Sequence, residues 1–230
     1  GDVKLLYYIS PHIWAWKAKR RFTMARDLDA LAVIFPFEVA CYADTDLAVE
    51  FVGHPFVAPE YQSPVTYDPA GPFLLLPGSR KQAVERIFPV LLSGLSAYGA
   101  EDTAVLYPSE AIHEVLEEAR PPSHVRLMKT GEPIAARAVL TSSGTMSLHC
   151  ALAAIPGAIA YRTNALTYLL ARLWVKLDYI GIANLLLKEP MYPEYIQGRA
   201  KGEALATELR SCAEDQERIA QTGEQQRRLK

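Results

Sequence analysis

The chain has 230 residues, 50% of them apolar and 22% charged, with a net charge of −2 at neutral pH. That balance excludes a disordered chain and supplies no overall basic field for nucleic acid. Cys41, Cys150 and Cys212 are odd in number and far apart, which excludes a disulfide framework or a metal cluster and reads as free thiols in a reducing compartment.

In chain order, Lys4–Ile9 reads as a buried strand, and Trp14–Ala25 as a helix with Trp14, Ala18, Arg21 and Ala25 on one face. A strand at Leu31–Phe35, a short helix at Phe37–Ala43 and a strand at Val49–Val52 follow. Residues 53–72 hold Gly53, Pro55, Pro59, Pro64, Pro69, Gly71 and Pro72, a density of backbone-restricting residues that reads as a linker. A second alternation begins with the strand Phe73–Leu76 and the helix Lys81–Tyr98. It continues with a strand at Thr103–Tyr107, a helix near Ala111–Ala119, a strand at Val125–Met128 and a short helix at Glu132–Ala136. A strand at Ala138–Thr141, a helix at Thr145–Ala154, a strand at Ala158–Tyr161 and an apolar helix at Leu166–Val175 complete it. From Lys201 onward the pattern is helical and polar. The alternation predicts an α/β protein with parallel sheets. Its expected divisions are 1–58 for the end of one domain, 59–72 for the linker, 73–194 for a complete second domain and 195–230 for a helical tail. The local basic clusters, Lys17–Arg21 and Arg227–Arg228, read as solvated helix faces. No run reaches the roughly 18 apolar residues of a membrane span. The opening GDVKLLYYI reads as the start of a strand rather than a signal peptide, so an upstream part is expected.

Two turns carry chemistry. Pro77-Gly78-Ser79-Arg80 joins a buried strand directly to a helix. Gly78 admits close backbone approach, Ser79 suits the helix cap, Arg80 offers a fork for phosphate oxygens, and the first-turn amides lack intrahelical partners. Ser142-Ser143-Gly144-Thr145 repeats the arrangement after the strand that ends at Thr141. Two such edges in one domain suit the two phosphates of a nucleotide sugar. Neither turn ends in the Gly-Lys-Ser/Thr of a P-loop, and neither is a GxGxxG, which argues against the usual ATP chemistry.

The segments YYISPHIWAWKAKR, FPFEVACY, FVGHP, LLPGSR, SSGTMSLHCALAAIPGAIAYR and DYIGIANLLL occur in the order found in lipid-A-disaccharide synthases, and the chain resembles that family over nearly its whole length. The resemblance implies an inverting GT-B glycosyltransferase with Rossmann-like domains. It would join UDP-2,3-diacylglucosamine to 2,3-diacylglucosamine 1-phosphate and release UDP. The C-terminal domain would hold the nucleotide and the N-terminal domain the acceptor. It further implies that Gly78, Ser79, Arg80, Ser143, Gly144 and Thr145 face the diphosphate, that Arg162 is a further anion contact, and that Asn184 lies at the cleft.

His149 stands where the family usually has a glutamate that clamps the ribose, and histidine cannot make that bidentate clamp. Ala183 replaces a proline usual before Asn184. The family's proposed catalytic aspartate lies upstream of SPxxWAW and has no counterpart here, so the catalytic base is unknown. Asp178 and Glu38 read as structural or capping groups. His12 and His54, each just after a strand, are candidates to line a cleft. No Asp-x-Asp lies at a strand end, so no cofactor and no divalent cation is expected. The acyl substrates imply a bacterial enzyme peripheral on the cytoplasmic face of the inner membrane, with WAWKAKRR and Leu166–Lys176 as interfacial candidates. The family's terminal helices can also exchange between two copies. The alternative reading is a catalytically incomplete UDP-sugar-binding or oligomerisation module, and a third is a UDP-sugar epimerase or hydrolase of the same fold.

Overall fold

The computed structural model describes residues 3–14, 17–164, 168 and 178–230. Leu166–Lys176, apart from Tyr168, and the Ala15-Trp16 part of WAWKAKRR lie outside these residues. The described residues divide into two compact units, the first within 3–62 and the second within 63–164 and 178–230.

The first unit is a parallel sheet of β1 (Leu6–Tyr8), β2 (Ala30–Val33) and β3 (Ala48–Phe51), in that order. Leu6 pairs with Ala30 and Leu31 with Val49. Helix α1 (Arg20–Asp27) makes the first crossover, and a 3₁₀ turn at Pro36–Tyr42 stands in place of the expected second helix. Ile13, Met24, Leu31, Val33, Tyr42 and Leu47 form its core. Strand β1 is not buried as expected: Leu6 is 70% exposed and Tyr8 51%. Among the described residues it pairs with β2 alone, as the edge of the sheet. Helix α1 starts at Arg20 rather than Trp14, after Lys17, whose φ of +56° no right-handed helix accommodates.

The stretch read as a linker contains structure. Val65–Tyr67 is β4, and it pairs in parallel with β8 (Ile134–Ala136), where a short helix was expected. Val65 and Ile134 are buried, and burial of alternate residues favours a strand there. A Cβ on Gly71 would lie 3.1 Å from the Ala135 carbonyl oxygen, so this connection packs against the second unit's own backbone.

The second unit is built on β5 (Phe73–Leu76), β6 (Thr103–Tyr107), β7 (Val125–Lys129), β9 (Ala138–Thr141), β10 (Gly157–Tyr161) and β11 (Glu194–Ile196). All six are parallel, in the order β7-β6-β5-β9-β10-β11. Counted within this sheet, that is the doubly wound order 3-2-1-4-5-6. Helix α2 (Lys81–Tyr98) buries Val84, Ile87, Phe88, Leu91 and Leu95 at helical spacing and stops at Gly99, whose φ of +85° a side chain would strain. Helices α3 (Glu110–Glu118), α4 (Thr145–Leu152) and α5 (Ile182–Leu187) complete the alternation.

The tail, expected as a separate element from residue 195, belongs to this unit. It holds β11, α6 (Gly202–Glu214) and α7 (Gln216–Leu229). Leu205 and Leu209 of α6 join the core of α2, where a Cβ on Gly94 would come within 2.7 Å of the Leu205 Cβ. Each such buried leucine contributes about 1.5–3 kcal/mol. Asp215 caps α7 by accepting from the amides of Glu217 and Arg218, and the Arg218 guanidinium donates to the carbonyls of Gly157 and Met191 at 3.1 and 2.9 Å. No helix among the described residues is long and apolar enough to cross a membrane.

Candidate functional site

The sheet order decides where the two candidate turns go. From β5 the chain moves to β6 on one side, and from β9 to β10 on the other, while β5 and β9 are themselves neighbours. Their carboxyl ends therefore bound the crevice where open α/β sheets bind ligands. Leu76 lies beside Thr141 in register, and the Ser142 amide donates to the Leu76 carbonyl at 2.8 Å. Gly78 adopts φ +110°, and a Cβ placed there would meet the Ser142 Oγ at 2.9 Å. The two turns thus touch.

Both helices that leave this crevice start without a side-chain cap. Arg80 holds the cap position of α2 and Gly144 that of α4, and neither first turn contains an acidic residue. Ser79 is not the cap expected from the sequence: it sits one residue earlier and is exposed, because the extended backbone that precedes a helix falls at Arg80, with φ −106° and ψ 120°. Gly144 has φ +155° with ψ −177°, a conformation open essentially to glycine, and its carbonyl accepts from the amide and hydroxyl of Ser147. The first-turn amides and the helix dipoles leave a positive potential at one place.

Two clefts flank the contact, with about 590 and about 800 Å³ of space open to solvent. Gly78, Ser79, Ser143, Gly144 and Thr145 line both. The larger extends over β10 and adds Arg80, Tyr161 and Arg162. The smaller extends over β6 and β7 and adds Leu106, Pro108, Thr130 and Met146. Sequence reasoning missed those last four. Their signal was position, since Leu106, Pro108 and Thr130 lie at the ends of strands that follow the first turn. Among the described residues, neither cleft wall includes an aspartate or glutamate.

Arg80 is exposed, whereas Arg162 is anchored by a 2.6 Å bond from its Nη2 to the Ala200 carbonyl. Two expected site residues are not brought to the crevice. His149 is only 6% exposed and lines neither cleft, because its place on α4 turns it inward beside Leu148 and Cys150. Asn184 is fully buried. Its Nδ2 donates to the Tyr192 carbonyl at 2.7 Å and to Glu194 Oε1 at 2.9 Å, and its Oδ1 accepts from the Tyr192 amide at 2.9 Å. With both donor hydrogens and the acceptor in use, this amide closes the loop that leads into β11 rather than facing a cleft.

His12 and His54 lie in the first unit at the carboxyl edge of its sheet, and burial pushes both imidazoles below their usual pKa. Glu38 caps the turn after β2, accepting from the amides of Ile34 and Phe35 at 3.3 and 3.0 Å, and Asp178 is exposed.

A model of the family described as lipid-A-disaccharide synthetase matches residues 2–230. The chain belongs to the lipid-A-disaccharide synthetase family. Curated members with the name lipid-A-disaccharide synthase include those of Nitrosococcus oceani and Geobacter metallireducens, each 34% identical over 94% of this chain. The chain spans 60% and 61% of those two members' lengths. Among solved structures, an S. aureus TarM variant in complex with Fondaparinux, alpha-GlcNAc-glycerol and UDP superposes with a TM-score of 0.53 at 10% identity, covering 98% of this chain and 47% of its own. Spinosyn rhamnosyltransferase SpnG in complex with thymidine diphosphate gives 0.51 at 11% identity, covering 91% and 66%. At these identities the likeness concerns the fold, which is that of the GT-B glycosyltransferases.

Gly78→Ala is the sharpest local test of the crevice in this family member. The methyl would crowd Ser142 and strain a φ of +110°, at a cost of about 1–3 kcal/mol. Denaturant melts should show that loss, and Gly99→Ala, strained at φ +85° but in open space, should lower stability without crowding a neighbour.

Proposed function

We propose that this chain carries the nucleotide-sugar-binding part of a glycosyltransferase of lipid A assembly. In this reading the enzyme transfers 2,3-diacylglucosamine from its UDP donor to 2,3-diacylglucosamine 1-phosphate with inversion, and acts at the cytoplasmic face of a bacterial membrane. The observation that carries the reading is the meeting of two uncapped helix starts at the switch point of the sheet, in a chain of this family.

The diphosphate sits over Gly78 and Gly144, with the amides and hydroxyls of Ser79, Ser143 and Thr145 and the Arg80 guanidinium around it. Arg162 faces the same cleft from β10. The smaller cleft, with apolar Leu106, Pro108 and Met146 and polar Thr130, receives the nucleoside. As the acceptor oxygen attacks the anomeric carbon from the opposite face, negative charge grows on the leaving diphosphate. Donors already fixed toward that charge lower the barrier by about 3–4 kcal/mol each in comparable anion holes. The general base is not among the cleft residues, and the first unit is assigned to the acceptor.

A second reading is a binding module that grips UDP-sugars without transferring them. The cleft walls without a carboxylate and the inward-turned His149 favour it for this chain taken alone. Titration with UDP and with uridine tests what the readings share. UDP should bind at least tenfold more tightly, since the grip is on the diphosphate, and equal affinities would remove the proposal. Incubation with UDP-diacylglucosamine and the acceptor then separates them, because only the enzyme yields disaccharide and only a hydrolase yields UDP without acceptor.

A further inference from the structure

One wall of the larger cleft is held from outside the cleft. Tyr161 and Arg162 line it where β10 ends. The parallel ladder between β10 and β11 closes with Tyr161 beside Ile196. At Gln197 the chain leaves that ladder and begins the 3₁₀ turn Gln197–Arg199. Gln197 has a φ of +53°, in the left-handed region that a residue with a side chain enters only at a cost. Glycine takes this conformation freely, and the sequence places Gly198 one position too late to do so.

What the side chain at 197 gains is a grip on the loop after β10. Gln197 Oε1 accepts from the Thr163 amide at 3.1 Å, and its Nε2 donates to the Thr163 carbonyl at 3.0 Å. A primary amide offers the donor and the acceptor of a peptide group, so the side chain continues the ladder beyond its last backbone pair. The far end of the same turn takes the neighbouring residue. The Ala200 amide donates to the Gln197 carbonyl at 3.0 Å, and the Ala200 carbonyl accepts from Arg162 Nη2 at 2.6 Å. One turn therefore holds the side chain of Arg162 and the backbone of Thr163. Gln197 itself lines neither cleft, so any effect on a ligand passes through the loop.

We infer that Gln197 is a positioning residue, which fixes the loop after β10 so that the Arg162 guanidinium is set toward the diphosphate before the ligand arrives. The inference rests on the diphosphate grip proposed above. Glycine at 197 would make the turn without strain, but it would release both polar groups of Thr163 and loosen the backbone that carries Arg162. An arginine ordered in advance spares the ordering cost at binding, and it stays aimed at the leaving group as charge grows there.

The test uses the 230-residue chain and UDP. Gln197→Gly relieves the left-handed φ and removes the clamp, whereas Gln197→Leu removes the clamp and keeps the strain. The glycine variant should melt no lower than the leucine variant, while both bind UDP about tenfold more weakly than wild type. Arg162→Ala should lose at least as much. The double variant Arg162→Ala with Gln197→Gly should bind no more weakly than Arg162→Ala alone, because Gln197 acts through that arginine. Amide exchange followed by NMR reads the clamp without ligand: Thr163 should exchange slowly in the wild type and fast in both Gln197 variants. Unchanged UDP affinity in the Gln197 variants, additive losses in the double variant, or Thr163 exchange that is alike in all three chains overturns the inference. A wild type that fails to bind UDP while its Thr163 amide stays protected overturns the diphosphate grip instead, so the two failures are distinguishable.

Discussion

Arg80→Ala is expected to weaken UDP binding about 10- to 100-fold while leaving the melting temperature where it was. The guanidinium is exposed on the wall of the larger cleft, beside the uncapped start of α2. Nothing in the fold rests on it, since it makes no hydrogen bond or ion pair with the described residues. A charge-assisted bond to a phosphate oxygen is worth about 1.5–3 kcal/mol, which sets the size of the loss. Arg80→Lys should fall between, because an ammonium keeps the charge and loses the planar fork. The wild-type affinity should also fall with added salt, and the alanine variant should show a shallower dependence. Calorimetry at two ionic strengths reads all of this. Unchanged UDP affinity in the alanine variant would mean that the arginine points away from the diphosphate and that the larger cleft is not the phosphate side.

The crevice was legible in the sequence because its parts are local. A buried apolar run, then Gly and polar residues, then a helical pattern marks a strand–turn–helix edge whatever lies elsewhere, and LLPGSR and LTSSGT both have that form. What brings them side by side is not local. The adjacency of β5 and β9 is a property of strand order, and the resemblance to a known family, rather than periodicity, put it within reach. The misreadings have the same cause in reverse. Pro64, Pro69, Gly71 and Pro72 gave their stretch a linker's composition, yet Val65–Tyr67 finds in β8 a partner almost 70 residues later in the chain, which no window could contain. The apolar LYY of β1 reads as buried because hydrophobicity does not reveal how much of a strand the rest of the fold covers. Asn184 and His149 were assigned to the ligand by motif, and a motif does not say which face of a helix turns inward.

Asn184→Ala separates the two roles of that residue. The side chain is fully buried and serves the Tyr192 amide, the Tyr192 carbonyl and Glu194 Oε1 at once. Alanine would leave the Tyr192 amide and carbonyl unpaired in the interior, where each such group costs about 1–3 kcal/mol. A total of about 2–4 kcal/mol corresponds to a fall of roughly 5–15 °C in melting temperature for a chain of this size. Below that temperature UDP affinity should stay within about twofold of wild type. A residue that touched the ligand would behave in the opposite way, with stability kept and affinity lost. Asn184→Asp sharpens the distinction. The carboxylate keeps the acceptor for the Tyr192 amide but sets a second oxygen against the Tyr192 carbonyl and Glu194, which lie 2.7 and 2.9 Å from the present nitrogen. Burial and this crowding raise the introduced carboxyl's folded-state pKa above its unfolded value, so its penalty is full above the folded pKa and shrinks as pH falls through it. The aspartate variant should therefore be less stable than the alanine variant at neutral pH and gain on it in acid. A melting series that found the two variants parallel across pH would show that the amide is not held between those oxygens.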